Sequence, residues 1–410
     1  MKILHTADWH LGKNLERISR IDEQREFVEY LCDLVEKENI DLVLIGGDIY
    51  DTYNPPACAE ELFYYALNKL NKNGKRAVVV IAGNHDNPER LEAIMPIACK
   101  NGIFILGYPK TDILVYKDEC KYTKIINGGK GFIELSIPNC LHNVVILTLP
   151  YPSEARLEEV LTNEVDENLI QKAYSEKIGH ILNGLTCNFR DDTVNLVLGH
   201  IFLMGGKESD SERTIQVGNA MTVDVSMMPK NAHFVALGHL HRPQVIKSEY
   251  CPIFYSGSPL AYSFSEADYN KAVYIIDVEP NCEINVTPSY LSCGKPLVRW
   301  CAKEGIGQAI KWCNEGKDKN AYVDLEIFTD RLLTQEEQKM IRELHQGIVN
   351  IRPKIINESD IVSDFSNREQ KKIDELFKEY YKYRTKTEVS EDIMEIFLDV
   401  INSEIEGDVK

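Results

Sequence analysis

Apolar residues follow two different spacings over the first hundred positions of the chain. Continuous apolar runs lie at 2–7, 41–45 and 77–82, which is typical of strands that are buried on both faces of a sheet. Between them, residues 20–38 and 57–72 carry apolar side chains at helical spacing. This alternation of strand and helix predicts a layered α/β fold.

The pattern continues, less regularly, to about residue 280. Residues 107–140 have the character of hairpins with five lysines, and residues 154–192 are polar and helical. Further strands are predicted at 143–149, 194–198, 233–237 and 271–278. We therefore assign residues 1–279 to one large domain.

The chain changes character after this domain. Residues 280–352 predict a small α+β unit, the capping domain, with strands near 321–327 and a helix near 335–346. Pro353 and the polar residues that follow predict a linker at 353–367. A chain of 410 residues is expected to contain two or three domains, which agrees with this division.

Two amphipathic helices are predicted at 368–410. Each carries one apolar stripe, and Ser390 is a suitable N-cap for the second helix. The first stripe consists of Ile373, Leu376, Phe377 and Tyr380, and the second of Ile393, Ile396, Phe397, Val400 and Ile401. Such stripes either dock in a groove of a partner or pack on the parent domain.

The composition is that of a globular protein that does not enter a membrane. Hydrophobic residues make up 44% and charged residues 27% of the chain, and no run of eighteen apolar residues exists. The segment 1–6 is too short for the apolar core of a signal peptide. Eleven scattered cysteines without a CxxC pair favour reduced thiols over disulfides or a zinc site. We therefore expect a cytoplasmic protein.

The net charge of −18, taken alone, disfavours binding to the phosphate backbone of a nucleic acid. Part of the excess lies in residues 360–410, which hold fourteen acidic and eight basic side chains. Bound metal ions also offset the charge of carboxylates. Five lysines of the hairpin region are available to contact a polyanion: Lys110, Lys117, Lys121, Lys124 and Lys130. The charge therefore does not exclude a polyanionic substrate.

Polar side chains with metal-binding chemistry follow five of the predicted strands. The segments are Asp8-Trp9-His10, Gly47-Asp48, Gly83-Asn84-His85-Asp86, Gly199-His200 and Gly238-His239-Leu240-His241. Taken singly, each is more often a turn or a hydrogen-bonded structural residue. Together they place five of the ten histidines just beyond strand ends, at the edge of an α/β sheet where ligands bind. The combination predicts a functional site.

The residue types of these segments indicate a site for two metal ions. Carboxylate oxygen, amide oxygen and imidazole nitrogen bind borderline and hard divalent cations. Two ions need a shared carboxylate, for which Asp48 is the natural choice. Ions about 4 Å apart can clamp a phosphodiester and activate the attacking water, so the site predicts hydrolysis of phosphodiesters.

The ordered set of segments resembles the calcineurin-like metallophosphoesterase family over residues 1–275. The resemblance implies an α/β fold, a β-sandwich flanked by helices. It implies one metal ion on Asp8, His10, Asp48 and His241, and a second on Asp48, Asn84, His200 and His239. His85 would donate a proton to the leaving oxygen or stabilise its charge, and Asp86 would orient His85.

Four of these seven ligands are imidazoles. Mg²⁺ prefers all-oxygen surroundings and keeps several of its own waters, whereas imidazole suits softer transition metals. We therefore expect two Mn²⁺ ions, with Mg²⁺ as a weaker substitute.

A narrower resemblance is to the SbcD family, the nuclease subunits of SbcCD complexes. It is carried by MKILHTADWHLGKN, GGDIYDTYNPP, GHLHRPQ with the later YSGSP, and Ser209-Asp210-Ser211-Glu212-Arg213. The resemblance implies a DNA nuclease that degrades double strands from 3′ ends and cuts single strands, in DNA repair, recombination and replication. Asp51 stands where some relatives carry an assisting histidine, and we expect it to be solvated or structural.

The same resemblance implies an SbcC-type ATPase as partner and a homodimer within a heterotetramer. We expect the helices at 368–410 to dock on the ATPase, with packing on the parent domain as the alternative. The candidate dimer helices are 57–72 and 89–100. Core packing is an equally good explanation of their apolar residues Leu91, Ile94 and Met95.

Two other functions remain open at this point. A protein phosphatase or a small-nucleotide phosphodiesterase would use the same metal ligands but would not need the capping domain and the terminal helices. A non-catalytic scaffold that tethers an ATPase would not need the complete ligand set. Comparing cleavage of a nitrophenyl phosphodiester with cleavage of a DNA hairpin separates the first alternative from a DNA nuclease.

Overall fold

The computed structural model describes residues 1–117, 120–157, 167–212 and 221–355, and the single positions Phe377, Tyr381 and Met394. The predicted helix pair at 368–410 and most of the predicted linker therefore lie outside the described residues. Within the described part, no helix combines the length and the apolar character that crossing a bilayer demands.

Six strands form the first sheet. In spatial order they are Asn285–Tyr290, Ala272–Asp277, Lys2–Thr6, Leu42–Ile45, Ala77–Ile81 and Ile103–Leu106. The last four run parallel, and the first two are antiparallel to their neighbours. The helices Ile21–Lys37 and Ala57–Leu70 connect parallel strands and bury their apolar faces in the same core as the sheet.

Seven strands form the second sheet. In spatial order they are Gln244–Ile246, Ile253–Tyr255, Phe234–Gly238, Val194–His200, Val144–Leu149, Phe132–Ser136 and Lys124–Gly129. Four central strands run parallel, and antiparallel strands complete both edges. The helix Glu167–Leu185 packs on this sheet through Tyr174, Ile178 and Leu182.

The two sheets pack face to face around a shared core. Ile3 and Leu44 of the first sheet and Ile146 and Leu198 of the second are fully buried in it. At one close approach, a Cβ on Gly238 would lie 2.0 Å from the carbonyl oxygen of Gly46, so only glycine fits there. The predicted β-sandwich flanked by helices is confirmed.

The predicted helix at 89–100 is divided into two short helices, Pro88–Glu92 and Met95–Ala98. Pro96 causes the division, because proline has no N–H to continue the helical hydrogen bonds and is accepted only in a first turn. Leu91 and Met95 are buried in the core, so core packing accounts for both.

The remaining elements are short. The helix Glu154–Leu157 follows the second-sheet strand Val144–Leu149. Two-stranded ribbons pair Asn14–Leu15 with Ile18–Ser19 and Phe202–Leu203 with Thr222–Val223. The 3₁₀ helices are Lys72–Gly74, Cys99–Asn101, Ile113–Tyr116, Thr186–Asn188, Val225–Met227 and Phe264–Glu266.

A third unit has a core of its own. Its parallel strands are Leu297–Ala302, Tyr322–Thr329 and Ile348–Ile355, and its helices are Ile306–Asn314 and Gln335–Leu344. Trp300, Leu325 and Ile341 are buried in this core. The unit has the α+β character expected of the capping domain.

Both predicted boundaries of the capping domain need correction. The strand Asn285–Tyr290 pairs with Ala272–Asp277, so the first sheet continues past residue 279. Most of its side chains are exposed, and it therefore lacks the apolar run that marks a strand in the sequence. At the other boundary, Pro353 lies inside the strand Ile348–Ile355 rather than in a linker. That strand is at the sheet edge, where a missing N–H is tolerated.

Candidate metal centre

The C-terminal ends of five parallel strands meet at one edge of the sandwich. They are Lys2–Thr6, Leu42–Ile45 and Ala77–Ile81 of the first sheet, and Val194–His200 and Phe234–Gly238 of the second. The structure brings all seven predicted ligands together at this edge: Asp8, His10, Asp48, Asn84, His200, His239 and His241. All of them except Asn84 are buried.

The backbone is left-handed at four of these positions. The φ angles are 54° at Asp8, 46° at His10, 49° at Asp48 and 102° at His239. Such conformations cost about 1–3 kcal/mol each in non-glycine residues and persist where the surroundings enforce them. Here, Asp8 and His10 donate backbone hydrogen bonds of 3.0 Å to the carbonyls of Gly47 and Asp48. These bonds tie the first two loops together.

One group of donor atoms surrounds His10. Its Nε2 lies 2.9 Å from Nε2 of His241 and 3.6 Å from Oδ2 of Asp48. Asp8, His10 and Asp48 each offer a donor atom, and these atoms lie within 4.8 Å of one another. Two nitrogens and two carboxylates therefore converge on this side of the site.

A second group surrounds Asn84. Its Oδ1 lies 3.0 Å from Nε2 of His200 and 3.1 Å from Nδ1 of His239. Oδ2 of Asp48 is 3.5 Å from Nε2 of His200, so the same carboxylate oxygen that faces His10 also faces this group. Gly83 leaves room for the carboxylate of Asp48, because a Cβ on Gly83 would lie 2.1 Å from Oδ1 of Asp48.

The donor atoms fit two divalent cations. Ligands at about 2.1 Å from one ion and at right angles to each other are separated by about 3 Å, which matches the contacts in both groups. Oδ2 of Asp8 is buried without a hydrogen-bond partner among the described residues. A buried carboxylate oxygen without a partner is costly, and a cation would satisfy it.

Neighbouring oxygens fix which nitrogen His200 and His241 present to the site. His200 donates from Nδ1 to the carbonyl of Gly46 at 2.7 Å. This leaves the lone pair of Nε2 available to bind a metal ion. Nδ1 of His241 lies 2.5 Å from Oγ of Ser211, and Ser211 in turn donates to Glu266. The Nε2 lone pair of His241 therefore points toward Nε2 of His10, 2.9 Å away, and this close contact needs a proton or a cation between the two nitrogens. Oxygen partners of this kind are usual behind metal-bound histidines.

The electrostatics of the cluster follow from burial. Burial lowers the pKa of His10 to about 3 and lowers that of His239 well below its usual range, so both are neutral, as ligands must be. Burial raises the pKa of Asp8 to about 7. For His200, burial opposes charge, but Asp48 and Asp8 outweigh it and raise the pKa to about 9. A bound divalent cation would take the place of the proton on His200 and supply the positive charge itself.

His85 lies beside the two groups of predicted ligands. It offers a donor atom within 4.8 Å of atoms of His10 and Asp51. Its backbone N–H donates to Oδ1 of Asp48 at 2.9 Å, and its ring is 4.8 Å from the ring of His10, centre to centre. Nδ1 donates to the backbone carbonyl of Asp51 at 2.7 Å, which leaves Nε2 available. The side chain is half-buried, as expected for a group that meets a substrate.

The orienting role predicted for Asp86 is wrong in this structure. Its carboxylate accepts from the backbone N–H groups of Ile49, Tyr50 and Gly83 at 3.1, 2.9 and 2.8 Å. It therefore holds the Asp48 loop against the 83–86 turn. The ring of His85 is held instead by the carbonyl of Asp51, which a sequence pattern cannot reveal because every residue has one.

Asp51 itself lies between Lys13 and His10. Its Oδ1 is 2.7 Å from Nζ of Lys13 and 3.5 Å from Nδ1 of His10. Burial opposes its charge, but His10 and Lys13 outweigh burial and lower the pKa of Asp51. Asp51 is thus an ion-paired carboxylate behind a candidate ligand rather than a freely solvated one.

Several residues that support the ligands were not predicted. Gln24 is fully buried; it accepts from Gly12 N–H and donates to the carbonyl of His10, which fixes the first loop. Glu266 and Lys271 form a buried ion pair behind His241. Glu212 accepts from His241 N–H at 2.7 Å. Of these residues, only Glu212 was indicated by the sequence, because it lies in the segment Ser209–Arg213 that contributes to the resemblance to SbcD.

A sandwich with two donor groups around one carboxylate, at the ends of parallel strands, defines the class of two-metal phosphoesterases. The family model described as calcineurin-like phosphoesterase matches residues 1–243 of the chain. The chain belongs to this family, and within it to the SbcD family, and it is a metal-dependent phosphodiesterase.

The narrower assignment rests on two relatives. The SbcD subunit of the nuclease SbcCD from Bacillus subtilis is 43% identical over 411 residues, which covers 100% of both chains. The protein of the same name from Staphylococcus epidermidis is 31% identical over 398 residues, which covers 95% of each chain. Both resemblances seen in the sequence are thereby confirmed.

Solved structures that match the fold are more distant. A dimetal phosphatase from Danio rerio is 11% identical, with a TM-score of 0.38, covering 70% of this chain and 98% of that chain. A 5′-nucleotidase-like protein from Staphylococcus aureus is also 11% identical, with a TM-score of 0.36, covering 84% of this chain and 57% of that chain. The family assignment rests on the sequence matches.

Proposed function

We propose that this chain is a manganese-dependent DNA nuclease and the nuclease subunit of a complex with an SbcC-type ATPase. Its activities would be 3′-to-5′ degradation of double strands and endonucleolytic cleavage of single strands, in DNA end and hairpin processing. The observation that carries the proposal is the pair of donor groups sharing Asp48. The full-length identity of 43% to a nuclease subunit supports the choice of DNA as substrate.

The ligand roles proposed for the seven side chains follow their grouping. Asp8, His10, Asp48 and His241 would hold one ion, and Asp48, Asn84, His200 and His239 the other. When bound, the two ions supply a clamp for the phosphodiester and an activated water. The buried loops keep these donors fixed, because the left-handed backbone and its hydrogen bonds leave the side chains little freedom.

His85 is proposed as the group that serves the leaving oxygen. Its Nδ1 is held by the carbonyl of Asp51, so the imidazolium form of His85 is the one that carries a transferable proton on Nε2. Asp86 is proposed to act only by holding the loops, since its carboxylate is already engaged by three backbone N–H groups.

Manganese is proposed because of the donor chemistry. Imidazole nitrogens supply two donors around Asn84 and two around His10. A site with so many nitrogens fits Mg²⁺ poorly, because that ion demands oxygen ligands and keeps its waters.

A macromolecular substrate is favoured by the position of the third unit. The ribbon Asn14–Leu15/Ile18–Ser19 directly follows the His10 loop. Leu15 of this ribbon packs with Leu297, Tyr322 and Val349 of the third unit. A unit fixed this close to the catalytic loop would serve a long substrate, whereas hydrolysis of a small phosphoester would not need it.

The proposed assembly with the ATPase and with a second copy of the chain rests on the predicted terminal helices and on exposed apolar side chains. The helices predicted at 368–410 would bind the ATPase. A homodimer within a heterotetramer is supported by exposed apolar side chains on the helices of the first sheet: Tyr64, Tyr65 and Ile97. All eleven cysteines lie in described segments and none of them forms a disulfide, which supports a reducing, cytoplasmic location.

The test is a nuclease assay on a DNA hairpin and on a nitrophenyl phosphodiester, with the ATPase partner and ATP added or omitted. A chelator should abolish cleavage, Mn²⁺ should restore it, and Mg²⁺ should restore it poorly. Preferential cleavage of DNA supports the proposal. Equal rescue by Mg²⁺ would contradict the metal, and activity confined to the nitrophenyl ester would contradict the substrate.

A further inference from the structure

A single arginine spans the turn that carries Asn84 and His85. Arg156 lies on the short helix Glu154–Leu157. One terminal nitrogen of its guanidinium donates to the carbonyl of Gly83 and the other to the carbonyl of Asp86, both at 2.7 Å. These carbonyls are the ones immediately before and after the Asn84–His85 pair.

The segment around Arg156 is itself fixed to the same turn. Tyr151 donates its backbone N–H to the carbonyl of Ala82 at 2.9 Å. The guanidinium lies over the Tyr151 ring, 5.5 Å from its centre, a distance at which the ring face attracts a cation. Lys110 donates to the carbonyl of Leu157, at the other end of the helix. The segment therefore joins the second sheet to a catalytic turn of the first.

Arginine is suited to this position for a geometric reason. Its donors form a rigid planar fork, so two carbonyls three residues apart can be bound at once, whereas lysine is a point donor on a flexible stem. Burial lowers the pKa of Arg156, but the nearby charges of Asp86 and Asp48 oppose that effect. No carboxylate takes part in the two contacts, so the charged fork is directed at the turn.

We propose that Arg156 is a positioning residue for His85 in the cleavage step. The inference rests on the proposed role of His85 as proton donor. In that step, the oxygen of the attacking water bonds to phosphorus while the bond between phosphorus and the leaving oxygen breaks. The imidazolium form of His85 gives its Nε2 proton to the leaving oxygen and becomes neutral, with its Nδ1 proton still bound to the carbonyl of Asp51. Arg156 touches neither atom; it fixes the backbone on both sides of His85 so that Nε2 meets the leaving oxygen.

The experiment compares two leaving groups in the full-length protein. A DNA oligonucleotide leaves as an alkoxide that needs a proton, whereas bis(p-nitrophenyl) phosphate leaves as a stable phenolate that needs none. Arg156→Ala should lower kcat on DNA about a hundredfold, the loss expected of a small displacement of a reacting group, with KM and bound Mn²⁺ unchanged. Hydrolysis of the nitrophenyl ester should change little. Millimolar guanidinium should partly restore the DNA activity.

Controls separate positioning from folding. Arg190→Ala removes a guanidinium that binds Glu134 near the opposite ends of the strands, and it should affect neither substrate. If Arg156→Ala does not fold, Arg156→Lys provides the same test, because lysine cannot bind both carbonyls. Loss of bound Mn²⁺, or an equal loss on both substrates, would overturn the positioning role.

A double variant distinguishes this inference from the proposal on which it rests. Arg156→Ala added to His85→Ala should cause no further loss on DNA, because the group being positioned is gone. If His85→Ala spares the nitrophenyl ester while Arg156→Ala does not, only the role of Arg156 fails. If His85→Ala impairs both substrates equally, the proton-donor role fails and the positioning role with it.

Discussion

The two ends of the same pair of strands differ in a way that identifies the functional site. Val194–His200 and Phe234–Gly238 lead to His200 and His239 at the metal centre. At the other ends of these strands lies a cleft of about 610 Å³. It is lined by Asn195, near the start of the first strand, and by His233, which directly precedes the second. Both ends thus bring histidine side chains together with the amide of an asparagine, Asn84 at the metal centre and Asn195 in the cleft.

In the opposite cleft, the amide of Asn195 and Nδ1 of His233 have hydrogen-bond partners within the protein. Nδ1 of His233 accepts from the backbone N–H of Asn195 at 3.0 Å. The amide of Asn195 accepts from Thr193 at 2.7 Å and donates to the carbonyl of Arg190 at 2.9 Å. At the metal centre, by contrast, Asp8 Oδ2 is buried without a partner among the described residues. Among the described residues, Asp8 Oδ2 is the one carboxylate oxygen that is buried without a partner, and this unmet negative charge, rather than polarity or volume, marks the site that requires a cation.

Removing the shared carboxylate should have the largest effect. Asp48→Ala should lose both Mn²⁺ ions and lower hydrolysis about a thousandfold or more, because two ions together supply several kcal/mol of transition-state stabilisation. Metal content and kcat measure the result. The matched variant His233→Gln, in the opposite cleft, should keep both within about twofold. If the two variants behaved alike, the difference between the metal centre and the opposite cleft would have no functional meaning.

Removing His85 should have a smaller effect of a different kind. His85→Ala should retain both metal ions and lose about 10²- to 10⁴-fold in kcat on DNA, which is the usual contribution of a general acid. Metal analysis of the purified variant, alongside its kinetics, checks both parts. Wild-type turnover in this variant would show that the assigned role is wrong.

Removing a hydrogen bond behind a ligand should have the smallest effect. Ser211→Ala deletes the oxygen at 2.5 Å from Nδ1 of His241 and should weaken Mn²⁺ binding about 10- to 100-fold. A manganese titration of activity should therefore shift to higher concentration while reaching a similar maximum. An unshifted titration would mean that Glu266 alone suffices to hold the ring.

The convergence of the five candidate segments could be predicted because strand ends are visible in the sequence, whereas the choice of seven ligands within those segments came from the family resemblance. Each ligand follows an apolar run of a parallel strand, and the C-terminal ends of such strands lie at one sheet edge. Asp8 and His241, far apart in the chain, could therefore be expected in one site. The ligand assignment remains a proposal, but their convergence is a property of the fold.

The support of the ligands could not be predicted, because it depends on backbone groups and on burial. Nothing in the pattern shows that a carbonyl of Asp51 binds His85 or that the carboxylate of Asp86 turns toward three N–H groups. Glu266 and Lys271 resemble surface charges in the sequence, yet they form a buried pair. The linear pattern of apolar residues indicates where a strand ends but not which loop folds over it.

Boundaries were missed for a similar reason. Asn285–Tyr290 belongs to the first sheet through backbone pairing, while its side chains face mostly outward. Pro353 indicated a break, but an edge strand does not need its N–H. In both cases the hydrogen-bond partner of the backbone, rather than the side-chain pattern, determined the structure.

The central claim is that two ions share Asp48. The most direct measurement is the anomalous scattering of manganese in crystals grown with Mn²⁺. Two peaks about 4 Å apart are expected, one touching His10 and His241, the other touching Asn84, His200 and His239, with an oxygen of Asp48 between them. A single peak, or two peaks of which only one contacts Asp48, would contradict the account.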